Sequence, residues 1–155
     1  MLELDDNYFK EEERCGFKIP SMMKRVWAVE MDVLTHIDRI CMEYGLTYYA
    51  AFGTMLGAVR HNGFVPWDDD IDVGMPRADY ERFLKLEQTE PVAPFLHAIS
   101  AEAGTLSNPY CELLHMDTEL ERDTSKYIRE ECQILHLFID IFPQDGWPSS
   151  ERACL

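Results

Sequence analysis

Apolar residues recur at steps of three and four along residues 21–44, which is the spacing of one face of an α-helix. This face consists of Met23, Val26, Trp27, Val33, Leu34, Ile37, Ile40, Cys41 and Tyr44. Ser21 can cap the start of the helix, and Gly45 can end it in the left-handed conformation that suits glycine. The pattern predicts a long N-terminal amphipathic helix whose apolar face packs in the core.

The rest of the chain mixes strand patterns with shorter helices. Runs rich in β-branched or aromatic residues, or with strict alternation, predict strands at 46–52, 70–74, 95–99, 110–116 and 134–142. One or two helical turns are expected at 55–60, and a short amphipathic helix at 76–86. Because the elements do not follow a regular strand–helix–strand alternation, an α+β fold is favoured over a doubly wound sheet.

The length of 155 residues corresponds to one domain. Residues 1–15 contain six acids and two bases with few apolar positions, so 1–20 is expected to be a mobile acidic lead-in. The folded domain is then 21–155. Its last predicted strand ends close to the end of the sequence, which favours a domain that is incomplete at its C-terminus.

The net charge narrows the range of partners. With 29 acids against 14 bases, the net charge is −15, which argues against nucleic acid and anionic membrane surfaces as partners. The sequence has no apolar run of membrane-spanning length and no secretory signal. Five cysteines without paired spacing indicate free thiols and a cytoplasmic location, namely Cys15, Cys41, Cys111, Cys132 and Cys154.

Four carboxylates within five residues, Asp68, Asp69, Asp70 and Asp72, are the main candidate chemistry. On a strand, Asp70 and Asp72 share one face about 7 Å apart, which suits a hard divalent cation such as Mg²⁺. Asp68 would then orient the metal site, and Asp69 would face the other way. An EF-hand is excluded, because Val73 stands where its loop requires glycine.

A glycine and a small hydroxyl residue precede these aspartates. Gly53 and Thr54 lie between a predicted strand and a short helix, where backbone N–H groups and a hydroxyl can bind a phosphate. Asp70 follows Gly53 by 17 residues. This layout favours a nucleotidyltransferase-type site, with a phosphate held on one side and its metal on the other, over the metal-binding motif of sugar-nucleotide transferases.

Residues 53–77, GTMLGAVRHNGFVPWDDDIDVGMPR, closely resemble the LicD family of phosphocholine transferases, and residues 138–143, FIDIFP, resemble a later strand of that family. The family lies in the nucleotidyltransferase-fold superfamily, together with fukutin-type ribitol-phosphate transferases. The resemblance implies a mixed β-sheet flanked by helices. It also implies transfer of a phospho-alcohol group, such as phosphocholine from a CDP-alcohol donor, onto a glycan hydroxyl of lipopolysaccharide or teichoic acid with Mg²⁺ or Mn²⁺.

The resemblance also assigns roles to individual residues. Gly53 and Thr54 match the phosphate-binding pair, and Asp70 and Asp72 match the metal-binding aspartates. Asp140 stands where a third carboxylate, able to act as base on the acceptor hydroxyl, is expected. A structural role for Asp140, or Asp145 as the third acid, stays open.

Four further residues in the matched block are candidates for the site. Arg60 and Arg77 can clamp phosphate oxygens or pair with surplus aspartates. His61 can contribute to donor binding. Trp67 can anchor its loop in the core and so support the site, or stack on a base or on choline.

Two other functions remain open at this point. The chain can be a truncated, non-catalytic domain that only binds metal, or a nucleotidyltransferase that transfers the nucleotide itself. Because glycan precursors are often lipid-linked, the acceptor can place the protein peripherally at the inner membrane face. The sequence leaves the oligomeric state open.

Overall fold

The computed structural model describes residues 2–89, 93–120 and 135–146. In chain order the elements are a 3-10 helix at Asp6–Phe9, strands β1 (Glu12–Arg14) and β2 (Phe17–Ile19), helix α1 (Ser21–Tyr44), strand β3 (Tyr49–Ala50), helix α2 (Phe52–His61), strand β4 (Asp72–Pro76), helix α3 (Arg77–Thr89), and strands β5 (Leu96–Ser100), β6 (Cys111–Leu120) and β7 (Leu135–Gln144). The predicted α+β class is confirmed.

Five strands form a mixed sheet in the order β3-β4-β7-β6-β5. Strands β4 and β7 run parallel, and the other neighbours are antiparallel. One face of the sheet is core, where the fully or almost fully buried residues Val73, Met75, Ile139, Ile141, Cys111 and Leu113 lie. Because side chains alternate along a strand, the residues between these positions emerge on the opposite face.

Helix α1 spans the predicted range and buries Trp27, Val33, Ile37, Ile40 and Cys41. It ends as predicted, since Gly45 has a φ of 61° and its N–H donates to the Cys41 carbonyl. The predicted cap at its start is wrong. Pro20 occupies the cap position without a side-chain hydrogen bond, and Ser21 is the first helical residue.

The acidic lead-in contains a short hairpin, in which β1 pairs with β2. Ile19 is fully buried at the end of this hairpin. The Lys24 ammonium on α1 lies 2.9 Å from the Glu12 carboxylate and 5.4 Å from the Tyr8 ring centre. These contacts join residues 8–19 to α1, and the domain boundary at residue 20 stays a prediction.

The segments around the glycine and the aspartates differ from the predicted bounds. The predicted strand 46–52 shortens to Tyr49–Ala50, and α2 begins at Phe52, so that Gly53 and Thr54 lie in its first turn. Strand β4 begins at Asp72 rather than residue 70 and ends at Pro76. The Ala51 N–H donates to the Asp72 carbonyl at 3.0 Å, which fixes the start of α2 beside the start of β4.

Within the described residues, no helix combines the length and the apolar character that crossing a bilayer requires. Cys15, Cys41 and Cys111 are free thiols. Cys132, Cys154 and the start of the predicted strand at residue 134 lie outside the described residues.

Candidate active site

Three carboxylates form a row across the centre of the sheet, on the face opposite the core. Asp72 on β4 is in register with Asp140 on β7, and Asp140 is in register with Glu112 on β6. Neighbouring strands lie about 4.8 Å apart, so the three side chains emerge side by side. We call Asp72, Asp140 and Glu112 the carboxylate row.

The surroundings of the carboxylate row raise the pKa values of its acids. Burial, followed by the charges of Glu112, Asp72 and Asp70, raises the pKa of Asp140 to about 7. Its Oδ1 atom is buried and has no hydrogen-bond partner in the described part of the chain. Burial also raises the pKa of Glu112. An unpartnered carboxylate oxygen among other acids is the kind of donor that a hard divalent cation satisfies.

Directly before β4, Asp68, Asp69 and Asp70 each place a carboxylate oxygen within 4.8 Å of the other two. We call residues 68–70 the acid loop. Burial and the charges of Asp72 and Asp68 raise the pKa of Asp70 to about 6. The expectation that Asp69 faces away from the cluster is wrong, because residues 68–70 precede the strand and do not follow its alternation.

Helix α1 contacts the backbone of the acid loop. The Trp27 indole N–H donates to the Asp68 carbonyl at 2.9 Å, and the buried Trp27 ring stacks on Phe64 with 4.6 Å between ring centres. The Asp68 N–H donates to the Val65 carbonyl at 3.0 Å. Trp27 therefore has the anchoring role that was one of the two alternatives for Trp67. In the sequence, Trp27 is one of several apolar residues on the same face of α1, so the pattern did not single it out.

The first turn of α2 faces the acid loop. The cap residue Ala51 makes no side-chain hydrogen bond to α2. As in the first turn of any α-helix, the N–H groups of Phe52, Gly53 and Thr54 have no intrahelical partner. A Cβ atom on Gly53 would collide with the Asp68 carboxylate. The Thr54 hydroxyl accepts a hydrogen bond of 2.8 Å from the Asp72 N–H, which leaves its own hydrogen free to donate. Gly53, Thr54, Asp68 and Asp72 are thus brought together as predicted.

A cavity of about 320 Å³ opens beside this helix start. Gly53, Thr54, Asp68 and Asp70 lie on its wall together with apolar side chains from α1 and the loop after α2. Its size lies in the range of small-molecule pockets, which is about 300–1,000 Å³. The phosphate-binding elements therefore adjoin a space that can take part of a small ligand.

Arg60 and His61 lie at the end of α2, and Trp67 directly precedes the acid loop. Arg60 is exposed near the C-terminal end of α2, about 9 Å along the helix axis from Thr54. The His61 and Trp67 rings pack in a T-shaped arrangement, with 6.0 Å between the ring centres. Trp67 is 57% exposed, so the expectation that it anchors the loop in the core is wrong.

Arg77 lies at the other end of β4, about 16 Å along the strand from Asp72. Its guanidinium makes two hydrogen bonds to Asp145, of 2.7 and 2.8 Å. The structure thus places Arg77 in the alternative role of pairing with an aspartate and away from the carboxylate row. Asp145 is engaged in the same contact, whereas Asp140 is in register with Asp72.

Two acids near the site, Glu112 and Glu30, were not among the residues that the sequence pointed to. Glu112 was missed because its place beside Asp140 depends on the pairing of β6 with β7, although its alternation with Cys111 and Leu113 could have put it on the open face. Glu30 was missed because it lies on the predicted helix next to apolar neighbours. It is 3% exposed, and burial followed by the charges of Asp70, Asp69 and Asp68 raises its pKa to about 10.

Comparisons with known proteins agree with this geometry. The family model described as LicD/FKTN/FKRP, nucleotidyltransferase domain, matches residues 45–150. The lipopolysaccharide cholinephosphotransferase LicD of Haemophilus influenzae is 46% identical over 54 residues, which are 35% of this chain and 20% of that protein. An uncharacterized protein of Rickettsia prowazekii is 50% identical over 34 residues, or 22% of this chain and 13% of that protein.

An uncharacterized protein of Rickettsia typhi is 44% identical over 41 residues, or 26% of this chain and 13% of that protein. The matched segments thus span a fifth or less of the length of these relatives.

Proposed function

Because the chain belongs to the LicD/FKTN/FKRP family of nucleotidyltransferase domains, we propose that it is a metal-dependent phosphotransferase. It would move a phospho-alcohol group from a CDP-alcohol onto a glycan hydroxyl. The observation that carries this proposal is the register of Asp140 with Asp72, beside the uncapped start of α2. The name of the Haemophilus relative supports phosphocholine as the group and lipopolysaccharide as the glycan.

The donor set fits Mg²⁺ or Mn²⁺. Asp70 and Asp72 are the proposed ligands, because both carboxyls have raised pKa values that an adjacent cation would relieve. The unpartnered Oδ1 of Asp140 is a further oxygen donor next to them. When bound, such an ion supplies positive charge that neutralises phosphate oxygens as the transfer proceeds.

The remaining steps belong to residues of this chain. The N–H groups of Gly53 and Thr54 would bind and orient the phosphate of the departing nucleotide, since a helix start favours anions. The acceptor hydroxyl would give its proton to the Asp140 carboxylate. Burial and the neighbouring acids raise the pKa of Asp140 to about 7 in the metal-free chain, so this carboxylate attracts a proton more strongly than an ordinary aspartate does.

A binding domain without turnover is the second candidate. The matched segment spans 20% of the Haemophilus relative, so the similarity does not extend over the rest of that transferase. The second candidate shares the metal ligands with the first proposal, so only donor binding and product formation separate the two.

Titration calorimetry with CDP-choline in the presence of Mg²⁺ tests the first proposal. We expect binding by the wild type and a loss of at least tenfold in affinity for Asp72→Asn and Asp140→Asn, with an unchanged circular dichroism spectrum. Asp117→Asn, at an exposed position of β6, is the matched control and should bind as the wild type does. Metal binding without CDP-choline binding would favour the domain without turnover.

Product analysis then identifies the reaction. Release of CMP together with a phospho-alcohol group esterified to the glycan indicates the proposed transfer, whereas CMP with free phospho-alcohol indicates hydrolysis. Release of pyrophosphate from a nucleoside triphosphate would instead indicate transfer of the nucleotide and overturn the assignment.

A further inference from the structure

Aromatic side chains lie next to the carboxylate row, on the face of the sheet opposite the core. Phe142 is two residues beyond Asp140 on β7, so both side chains emerge on the same face, about 7 Å apart along the strand. The Phe52 and Phe142 rings pack in a T-shaped arrangement with 5.0 Å between the ring centres. The ring centre of Tyr110 lies 4.8 Å from that of Phe142. Three rings from α2, β7 and the residue before β6 are thus in contact.

Tyr49 adds a fourth ring on the β3 side of Phe142. Tyr49 is paired with Gly74 between β3 and β4, and Gly74 is in register with Phe142. A Cβ atom on Gly74 would lie only 2.5 Å from the Tyr49 ring, so the ring lies over this glycine. We call Tyr49, Phe52, Tyr110 and Phe142 the aromatic row.

The aromatic row is partly open to solvent. Phe52 is 59% exposed and Tyr49 is 43% exposed, although phenylalanine is among the residues most often buried in proteins. Phe142 and Tyr110 are half-buried. The Asn108 amide donates a hydrogen bond of 2.8 Å to the Tyr110 hydroxyl, which holds that ring in place. The row therefore offers a ligand accessible aromatic surface whose rings are held by their neighbours.

The aromatic row lies between the helix start proposed to bind phosphate and the acids of the sheet. Phe52 directly precedes Gly53 in the first turn of α2. Tyr110 is two residues before Glu112, an acid that has no role in the proposed reaction. Aromatic faces carry negative electrostatic potential, and neighbouring carboxylates add to it. The surface is therefore complementary to a ligand group that is both positively charged and apolar.

We propose that the aromatic row binds the quaternary ammonium group of the donor's phospho-alcohol. The inference rests on the proposed function and adds the residues that select the alcohol. A quaternary ammonium has no N–H to donate, so proteins hold it on aromatic faces rather than by hydrogen bonds. In CDP-choline a two-carbon chain joins this group to the pyrophosphate, so a pyrophosphate at the start of α2 leaves the ammonium close to Phe52.

Calorimetry in Mg²⁺ with CDP-choline and its neutral isostere, in which a tert-butyl group replaces the trimethylammonium, tests the assignment. The wild type should bind CDP-choline at least tenfold more tightly than the isostere. Phe52→Leu keeps an apolar side chain without a ring and should lower this preference at least fivefold. Phe9→Leu makes the same exchange in the lead-in, where the ring packs on Tyr8, and should keep the preference. An unchanged preference in Phe52→Leu would overturn the inference.

Proton magnetic resonance provides a readout that depends on the rings themselves. The trimethylammonium signal of CDP-choline should move upfield on binding to the wild type, because aromatic faces shield the methyl protons. Tyr49→Leu covers the case in which Phe52→Leu does not fold, and it should reduce this shift. Binding without an upfield shift would contradict the assignment. So would a preference that is lost in Trp67→Leu and kept in Phe52→Leu and Tyr49→Leu.

The two donors also separate this inference from the proposed function. Equal affinity of the wild type for CDP-choline and the isostere would reject the ammonium site and leave the transferase proposal standing. If the wild type binds neither donor, both proposals fail.

Discussion

Asp140 has an environment that works against its own ionisation. Burial and three acidic neighbours, Glu112, Asp72 and Asp70, all favour the neutral carboxylic acid. Burial and neighbouring acids also raise the pKa values of Asp70 and of Glu30 on α1. These groups bind a proton more tightly in the folded chain than in the unfolded chain, so folding and protonation are coupled.

This coupling gives a pH prediction for the metal-free protein. The ordinary pKa values of 3.8 for Asp and 4.5 for Glu rise to about 6 for Asp70, about 7 for Asp140 and about 10 for Glu30. A raised folded-state pKa contributes stability that is complete below the unfolded value and is lost as the pH rises through the folded value. We therefore expect the free energy of unfolding to fall between about pH 5 and pH 8 in EDTA, measured by urea denaturation.

Asp140→Asn provides the control for this measurement. It removes one of the responsible carboxyls, so its stability should fall less over the same pH range. A wild-type protein whose stability rises from pH 5 to pH 8, or a variant with the same slope as the wild type, would contradict the raised pKa of Asp140.

Elements with a long local pattern could be predicted, and elements fixed by distant contacts could not. Helix α1 has 24 residues with one apolar spacing, and its bounds were predicted correctly. Helix α2 was predicted too short, because Gly53 is an unfavourable helix residue and the hydrogen bond from Ala51 to Asp72 that fixes the start of α2 cannot be read from the sequence.

In the candidate site too, residues of one local motif could be predicted, and residues brought together by distant contacts could not. Gly53, Thr54, Asp70 and Asp72 lie in one continuous motif, so local sequence was enough to select them. The carboxylate row depends on the register of β4, β7 and β6, which no local pattern determines. The contact of Trp27 with Asp68 joins residues 41 positions apart and was not predictable for the same reason.

If the hydrogen bond from Trp27 to the Asp68 carbonyl holds the acid loop on α1, its removal should have measurable effects. Trp27→Phe keeps an aromatic ring against Phe64 but removes the donor to the Asp68 carbonyl. We expect a loss of about 1 kcal/mol in the free energy of unfolding and weaker Mn²⁺ binding, because the loop is no longer held. Urea denaturation and Mn²⁺ titration measure the two effects.

Trp67→Phe is the comparison, since Trp67 is 57% exposed and makes ring-edge contacts to Phe17 and His61. Its stability should change by less than about 0.5 kcal/mol. If Trp67→Phe weakens Mn²⁺ binding more than Trp27→Phe does, the loop is anchored from the exposed side and not from α1.

The whole molecule carries a net charge of −15, which opposes the approach of a pyrophosphate. The acid loop and the carboxylate row concentrate this charge beside the first turn of α2, where the phosphate is proposed to bind. A divalent cation at these acids would turn repulsion into attraction. Binding of the cation and of the donor should therefore be coupled, and thermodynamic linkage requires the coupling to be reciprocal.

We accordingly expect CDP-choline to bind at least tenfold more tightly in Mg²⁺ than in EDTA at equal ionic strength, by calorimetry. CDP-choline should tighten Mg²⁺ binding by the same factor, because the pair of ligands shares one coupling free energy. Cytidine, which has no phosphate, is the matched ligand and should bind equally with and without the metal. Equal affinity for CDP-choline in both buffers would mean that the phosphates do not meet the acids, and the donor would have to bind elsewhere on the molecule.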